Sequence, residues 1–300
     1  MNSFWDSDIF YSFRRSPMAV VSGLIALICV LGAALSPWIA PHNPFDLASL
    51  SLMDSLRPPV FQAEGEWMFP LGTDNQGRDI LSAIMHGGRI SLIVGVCAVI
   101  FAFLVGITVG LIAGYAGGTI GAVLMRVADI QLTFPAILIA LLVDGIVGAA
   151  LPKQLHQQLQ IPVLIFAIGI ANWPQFARTV RGSVLVERGK EYVMAARVIG
   201  ISAPRIMLTH ILPNVLGPVL VIATLNLGFA ILAEATLSFL GVGLPPTQPS
   251  LGTLIRIGND FLMSGEWWMT IFPGVALVLL VGSINLLGDW LRDALNPRLR

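Results

Sequence analysis

From Ile90 to Met125 the chain carries no charged residue. A bilayer core about 30 Å thick needs about 20 apolar residues per helix, so this run is too long for a single crossing. Gly114, Gly117 and Gly118 offer the turn it requires. A stretch of this kind has no polar face to give to water and must be read as membrane-embedded helix.

The rest of the chain agrees. Only 11% of residues are charged and mean hydropathy is +0.82, against about 25% charged in soluble domains. With a formal net charge of zero there is no basic surface for nucleic acid. Cys29 and Cys97 both sit in apolar runs and read as small hydrophobes, not as a disulfide or metal site. Six spans are expected: Met18–Ile39, Ile90–Tyr115, Ala122–Gly148, Ile161–Ala177, Leu212–Leu240 and Trp267–Trp290. The fold class is an all-α polytopic membrane protein. The first span reads as an uncleaved signal-anchor. Trp267 and Trp268 are expected at one interface and Trp290 at the other, as an aromatic belt.

Placing the N-terminus inside puts twelve of the 17 Lys and Arg on the inner side, among them Arg14, Arg15, Arg188, Arg298 and Arg300. Both termini are therefore expected in the cytoplasm. The residues divide into 1–88, holding the tail, first span and an outer segment, and 89–300, holding five spans. In the outer segment the turn-rich Leu71–Asp79 places Asp74, Arg78 and Asp79 together. They could meet a docking protein or simply fold onto a partner.

One segment, 187–213, is charged, helical and broken by glycine. Glu187–Ile199 can form a helix, Gly200 can end it through positive φ, and Ser202 can cap a second helix with Pro204 in its first turn. The result is either a knob projecting from the membrane or an amphipathic loop on the headgroups. Elsewhere, Gly106, Gly110 and Gly114 share one helix side and allow close packing. Glu234 lies mid-span, where a charge must face the bundle interior, a partner or water. It reads equally as lining a translocation path or as a structural hydrogen bond between helices. Asp129 is expected to pair with Arg126. Asn172, Trp173 and Pro174 break span four, and Phe272, Pro273 and Gly274 break span six; either could mark a site.

Ala195 and Ala196, Gly200, then Leu212 and Pro213 resemble the E-A-A-x3-G-x9-I-x-L-P loop of importer-type ABC permeases, with Met194 and His210 standing where that pattern has Glu and Ile. Further matches run through Phe13–Val20, Pro37–Pro44, Leu71–Asp79, His86–Leu92, Ala113–Gly118, Met125–Asp129, Leu232–Gly243 and Leu286–Leu299. Together they resemble the C-type subunit of dipeptide/oligopeptide/nickel-type ABC transporter permeases. The resemblance implies a type I importer membrane domain. It also implies a B-type permease partner, two ABC ATPase subunits that bind ATP and Mg, and an extracytoplasmic substrate-binding protein, within a bacterial inner membrane. It makes the knob a coupling helix: Ala195 and Ala196 seat closely, Gly200 sets the bend, Arg197 and Arg205 meet acidic rims, and Leu212 and Pro213 stiffen the link to span five. Gly200→Asp or Ala196→Asp would then uncouple hydrolysis from transport.

The chain has no G-x-x-x-x-G-K-[ST] cradle and no H-E-x-x-H or nucleophile elbow, so it is expected to hold no cofactor itself and not to be an enzyme. The alternatives are a stand-alone ion-coupled secondary transporter, or a permease of the same family for nickel, glutathione or other peptide-like solutes.

Overall fold

The computed structural model describes residues 8–46, 50–245 and 248–294; Arg298 and Arg300 lie outside them. Twelve α-helices follow in order among these residues. The N-terminal part holds α1 (Asp8–Arg15), α2 (Pro17–Ala34) and α3 (Ser36–Ile39). The middle holds α4 (Ile80–Ala116), α5 (Gly118–Leu132), α6 (Ala136–Ala150) and α7 (Lys153–Glu187). The last are α8 (Glu191–Val198), α9 (Ala203–Ile206), α10 (Leu212–Phe239), α11 (Leu251–Phe261) and α12 (Trp268–Ala294). Five spans are long and apolar enough to cross a membrane: α2, α4, α7 from Gln158, α9–α10 together, and α12. The α5–α6 pair counts as a sixth only as a broken span.

Local chemistry sets the breaks. Pro37 cannot donate to the ladder, so the first span ends at Ala34 and a short turn carries the chain on to Ile39. Asp79 caps α4, with its Oδ2 accepting from the Ser82 amide at 2.9 Å. The helix then runs about 55 Å, farther than the expected Ile90 start, and crosses the dividing line expected at residues 88 and 89. Gly117 (φ +64°) and Gly118 (φ +51°) make the turn, while Gly114 stays helical. The third expected span is not straight. Pro135 disfavours helical backbone at Phe134, and α5 and α6 meet at 92°.

The expected break at Asn172–Pro174 does not occur; α7 is continuous through Pro162 and Pro174. The missing Pro174 amide frees the Ile170 carbonyl, and Gln131 Nε2 of α5 donates to it. Gln131 Oε1 in turn accepts from Trp173 Nε1 at 2.9 Å. One amide side chain thus restores the lost hydrogen bond. Likewise the break expected at Phe272–Gly274 does not occur: α12 passes through Pro273 unbroken.

The longest seam is α4 against α7. A Cβ on Gly110 would lie 2.6 Å from Val180 Cβ, and one on Gly114 2.7 Å from Val184 Cβ; Gly106 is closed off in the same way by Phe176. The stripe is a contact surface within the subunit, and the core gathers around it with Phe176, Val180 and Val184 fully buried. Alternate crossings follow from the contacts. The α4 and α7 ends meet where Arg188 donates to the Gly114 carbonyl at 2.8 Å. Ala33 of α2 faces Gly88 near the α4 start, and Phe13 of α1 packs edge-on against Trp290 of α12 at 5.1 Å. Both described chain ends therefore lie at the same end of the bundle as α8.

The opposite end is closed by the segment 50–79 and by α11, a helix whose presence sequence patterning did not reveal. Trp268 is not part of a lipid-facing belt: it is buried, and its Nε1 donates to the Thr73 carbonyl at 3.2 Å.

Candidate functional site

Arg188, Gly189 and Lys190 end α7 and turn the chain into α8. Glu187 belongs to α7, so the first knob helix is shorter than the expected Glu187–Ile199. Glu187 nevertheless organises the corner. Lys190 Nζ donates to its Oε1 at 2.6 Å and the Tyr192 hydroxyl to its Oε2 at 2.5 Å. Asn214 Nδ2 donates to the same hydroxyl at 3.2 Å, tying the start of α8 to α10. Partial burial, and then the Glu187 carboxylate, push the Tyr192 phenol up to about 12, so it remains a neutral donor.

α8 ends at Gly200, which takes φ +79° as expected, and the Ile201 amide bonds back to the Ala196 carbonyl at 3.0 Å. Ser202 stands at the cap position of α9, but its side chain makes no capping bond. The second knob helix is not free-standing either. α9 passes through a π-turn, Met207–Ile211, straight into α10. The Leu212 amide reaches back to the Met207 carbonyl, and the wide turn accommodates Pro213, which has no donor of its own.

The sequence-predicted residues divide by where they point. Ala196 is buried with Val193, Ile206 and Ile211 and is not available to a partner. Arg197 is exposed, with its guanidinium 4.8 Å over the Tyr115 ring of its own subunit. Leu212 is half-buried, whereas Ala195, Gly200, Arg205 and Pro213 are exposed. The most exposed large apolar side chains of the knob are Val198 at 87% and Ile199 at 74% exposure. The sequence signal for this tip is two branched apolar residues directly before a helix-ending glycine.

Glu234 is wholly buried. It accepts from Ser91 Oγ of α4 and from Ser238 Oγ, both at 2.7 Å. Ser91 Oγ also accepts from the Leu251 amide at 3.4 Å, so the carboxyl pins α4, α10 and the start of α11 together. A path-lining group must touch solvent or solute; this one touches only its own subunit. Glu234→Gln, which keeps an acceptor and supplies donors that serine can accept, is expected to retain both folding and transport. Glu234→Leu leaves the serine hydroxyls unpaired, at about 1–3 kcal/mol for each buried group, and thermal unfolding in detergent should fall by several degrees. Asn172 is half-buried and donates to its own-helix carbonyl, Ile168 O, at 2.8 Å. Asp129 faces Arg178 Nη1 at 4.0 Å across the helix pair, not Arg126.

Asp74, Arg78 and Asp79 are all buried. Asp74 Oδ2 accepts from Arg78 Nε at 2.6 Å, and its Oδ1 accepts from the amides of Gln76 and Arg78. The three build the loop and cap α4, and none of their side chains is on the surface.

A bundle with buried polar staples at one end and an exposed apolar elbow at the other narrows the candidates, and comparison decides. The family described as "Binding-protein-dependent transport system inner membrane component" matches residues 106–300. This chain belongs to that family. Residues 3–59 match a second description, the N-terminal TM domain of oligopeptide transport permease C. This permease is 40% identical to the dipeptide transport system permease protein DppC of Escherichia coli K12, over all of this chain and 94% of that protein. It is 36% identical to the di/tripeptide transport system permease protein DppC of Pseudomonas aeruginosa, over all of this chain and 93% of that one. A chain of the MetNI methionine ABC transporter in inward-facing form aligns with a TM-score of 0.56 at 20% identity, covering 71% of this chain and 96% of that chain. The fold is thus that of a type I ABC importer membrane domain, and the chain is a permease subunit.

Proposed function

We propose that this permease forms half of a path for di- and oligopeptides through a bacterial inner membrane. A B-type permease supplies the other half, and an extracytoplasmic binding protein delivers the solute. Two ATPase subunits, which bind ATP and Mg, drive it. The end bearing α8 faces the cytoplasm together with both termini, in keeping with the Lys and Arg placement and with the shared end of α1, α12 and α8. Relatives bearing peptide-transport names over their whole length support the substrate class. The carrying observation for coupling is the exposed Val198–Ile199 tip at the end of α8, joined through the Gly200 elbow to α9–α10, which is continuous with a membrane span. An apolar tip of this kind is stable in water only at a cost that a partner groove removes.

The test is reconstitution. Proteoliposomes containing this chain, the B-type permease and the ATPase subunits, supplied with binding protein, are expected to take up labelled dipeptide only with ATP. Omitting this chain should abolish uptake. Uptake by this chain alone under a proton gradient would establish the ion-coupled alternative instead.

A further inference from the structure

Outside the surfaces described so far, α2, α4, α10 and α12 leave an open crevice of about 760 Å³. Val30, Val96, Leu227 and Leu287 are typical of its walls, which are almost wholly apolar. Thr224 turns its hydroxyl back to the Val221 carbonyl of its own helix, and two other residues mark the ends. Arg89 stands at one end, exposed, and forms no ion pair with a carboxylate among the described residues. Trp290 stands at the other. Ile80 of α4 and Trp268 of α12 pack at the same level. Counting 1.5 Å per residue from there, Arg89 and Trp290 are separated by about 20 Å along the bundle axis.

Size discriminates between occupants. A 20-residue helix about 30 Å long and 10 Å across displaces about 2,400 Å³, some three times this space. The volume falls instead in the roughly 300–1,000 Å³ range of small-ligand pockets. The polarity also has a direction. Arg89 directly precedes the uncharged run that opens at Ile90, so its guanidinium sits at the headgroup boundary, and everything deeper is hydrocarbon-like. A guanidinium without a carboxylate partner is matched by a phosphate, which it can grip through two parallel hydrogen bonds. The 20 Å reach is comparable with one leaflet of the bilayer.

We propose that this crevice is a binding site for one anionic phospholipid, its phosphate on Arg89 and an acyl chain lying along α4 and α12 to Trp290. The lipid fills a gap that the four helices do not close themselves and holds α2 to the bundle.

The experiment uses the full-length chain, purified in its membrane complex and reconstituted into phosphatidylcholine vesicles. These are doped with phosphatidylglycerol brominated at mid-chain, which quenches tryptophan on contact. The signal read is the part of the fluorescence lost in Trp290→Phe. Quenching of Trp290 should saturate at a few mole per cent of brominated phosphatidylglycerol. Brominated phosphatidylcholine should need at least fivefold more. Arg89→Gln should erase that difference, and Arg89→Lys should keep part of it. Val96→Phe, which fills the crevice without touching the charge, should reduce quenching by either lipid; it carries the test if Arg89→Gln does not fold. Equal quenching by the two lipids in the parent protein would overturn the proposal. So would no quenching by either, which would mean that a segment of protein occupies the crevice.

Discussion

Val198→Asp should reduce ATP-driven uptake by more than about tenfold while the permease still inserts and assembles. Val198 is 87% exposed, so the change removes no contact within the subunit, and surface substitutions of this kind usually alter stability by less than about 0.5 kcal/mol. Seated in a partner groove, the same carboxylate would lose its water without gaining a partner. Losses at such central apolar contacts run to 2 kcal/mol or more, at least about 30-fold in affinity. Val198→Arg separates two explanations. If the contact is apolar, both charges abolish uptake; if it is an acidic rim, arginine is tolerated. The measurements are uptake in proteoliposomes and co-purification of the ATPase subunits. Full uptake with Val198→Asp would remove the elbow from the coupling mechanism. Ala196→Asp is a poorer probe than its place in the loop pattern implies. Ala196 packs beside Val193 and Ile206, so a carboxylate there would disrupt the knob itself before any docking was tested.

Gly110→Leu should prevent recovery of folded protein. Even the first added carbon would sit 2.6 Å from Val180 Cβ and 2.7 Å from the Ala177 carbonyl, and neither atom is the end of a flexible chain. Relief requires α4 and α7 to part along their whole contact. Overpacking costs about 1–3 kcal/mol where neighbours can shift, and more where the obstacle is backbone. Gly110→Ala should fold with a thermal midpoint several degrees lower, read by fluorescence unfolding in detergent. Gly32→Ala, where the new carbon meets nothing within 4 Å, is the matched control and should behave as the parent.

Much of this was legible in the sequence, for reasons that differ from place to place. Hydrocarbon length is a one-dimensional requirement, so long apolar runs located α2, α4, α10 and α12 directly. Gly200 was legible because few residues other than glycine accept φ +79° at a helix end. The continuity of α7 was not. It depends on Gln131, 39 residues away from the Ile170 carbonyl it satisfies, and local pattern carries no trace of such a partner. Nor was the inward turn of Ala196, since a loop motif identifies which residues recur without saying which face of a short helix meets the subunit's own core. Asp74, Arg78 and Asp79 looked like surface because charged turn residues usually are. Only the three-dimensional enclosure of one ion pair by segment 50–79 and Trp268 shows them as interior.

The unbroken rod from Ala203 to Phe239 makes span five a lever whose fulcrum is Glu234. The rod is about 46 Å long from its tip to that residue, which is stapled to α4 and α11. A sideways push of about 3 Å on the elbow would therefore tilt the helix by only about 4°. It would also displace the inner half of the span far more than the outer. In such a machine the gate nearest the motor opens widest, and the outer end, anchored by one carboxyl and two serines, barely moves.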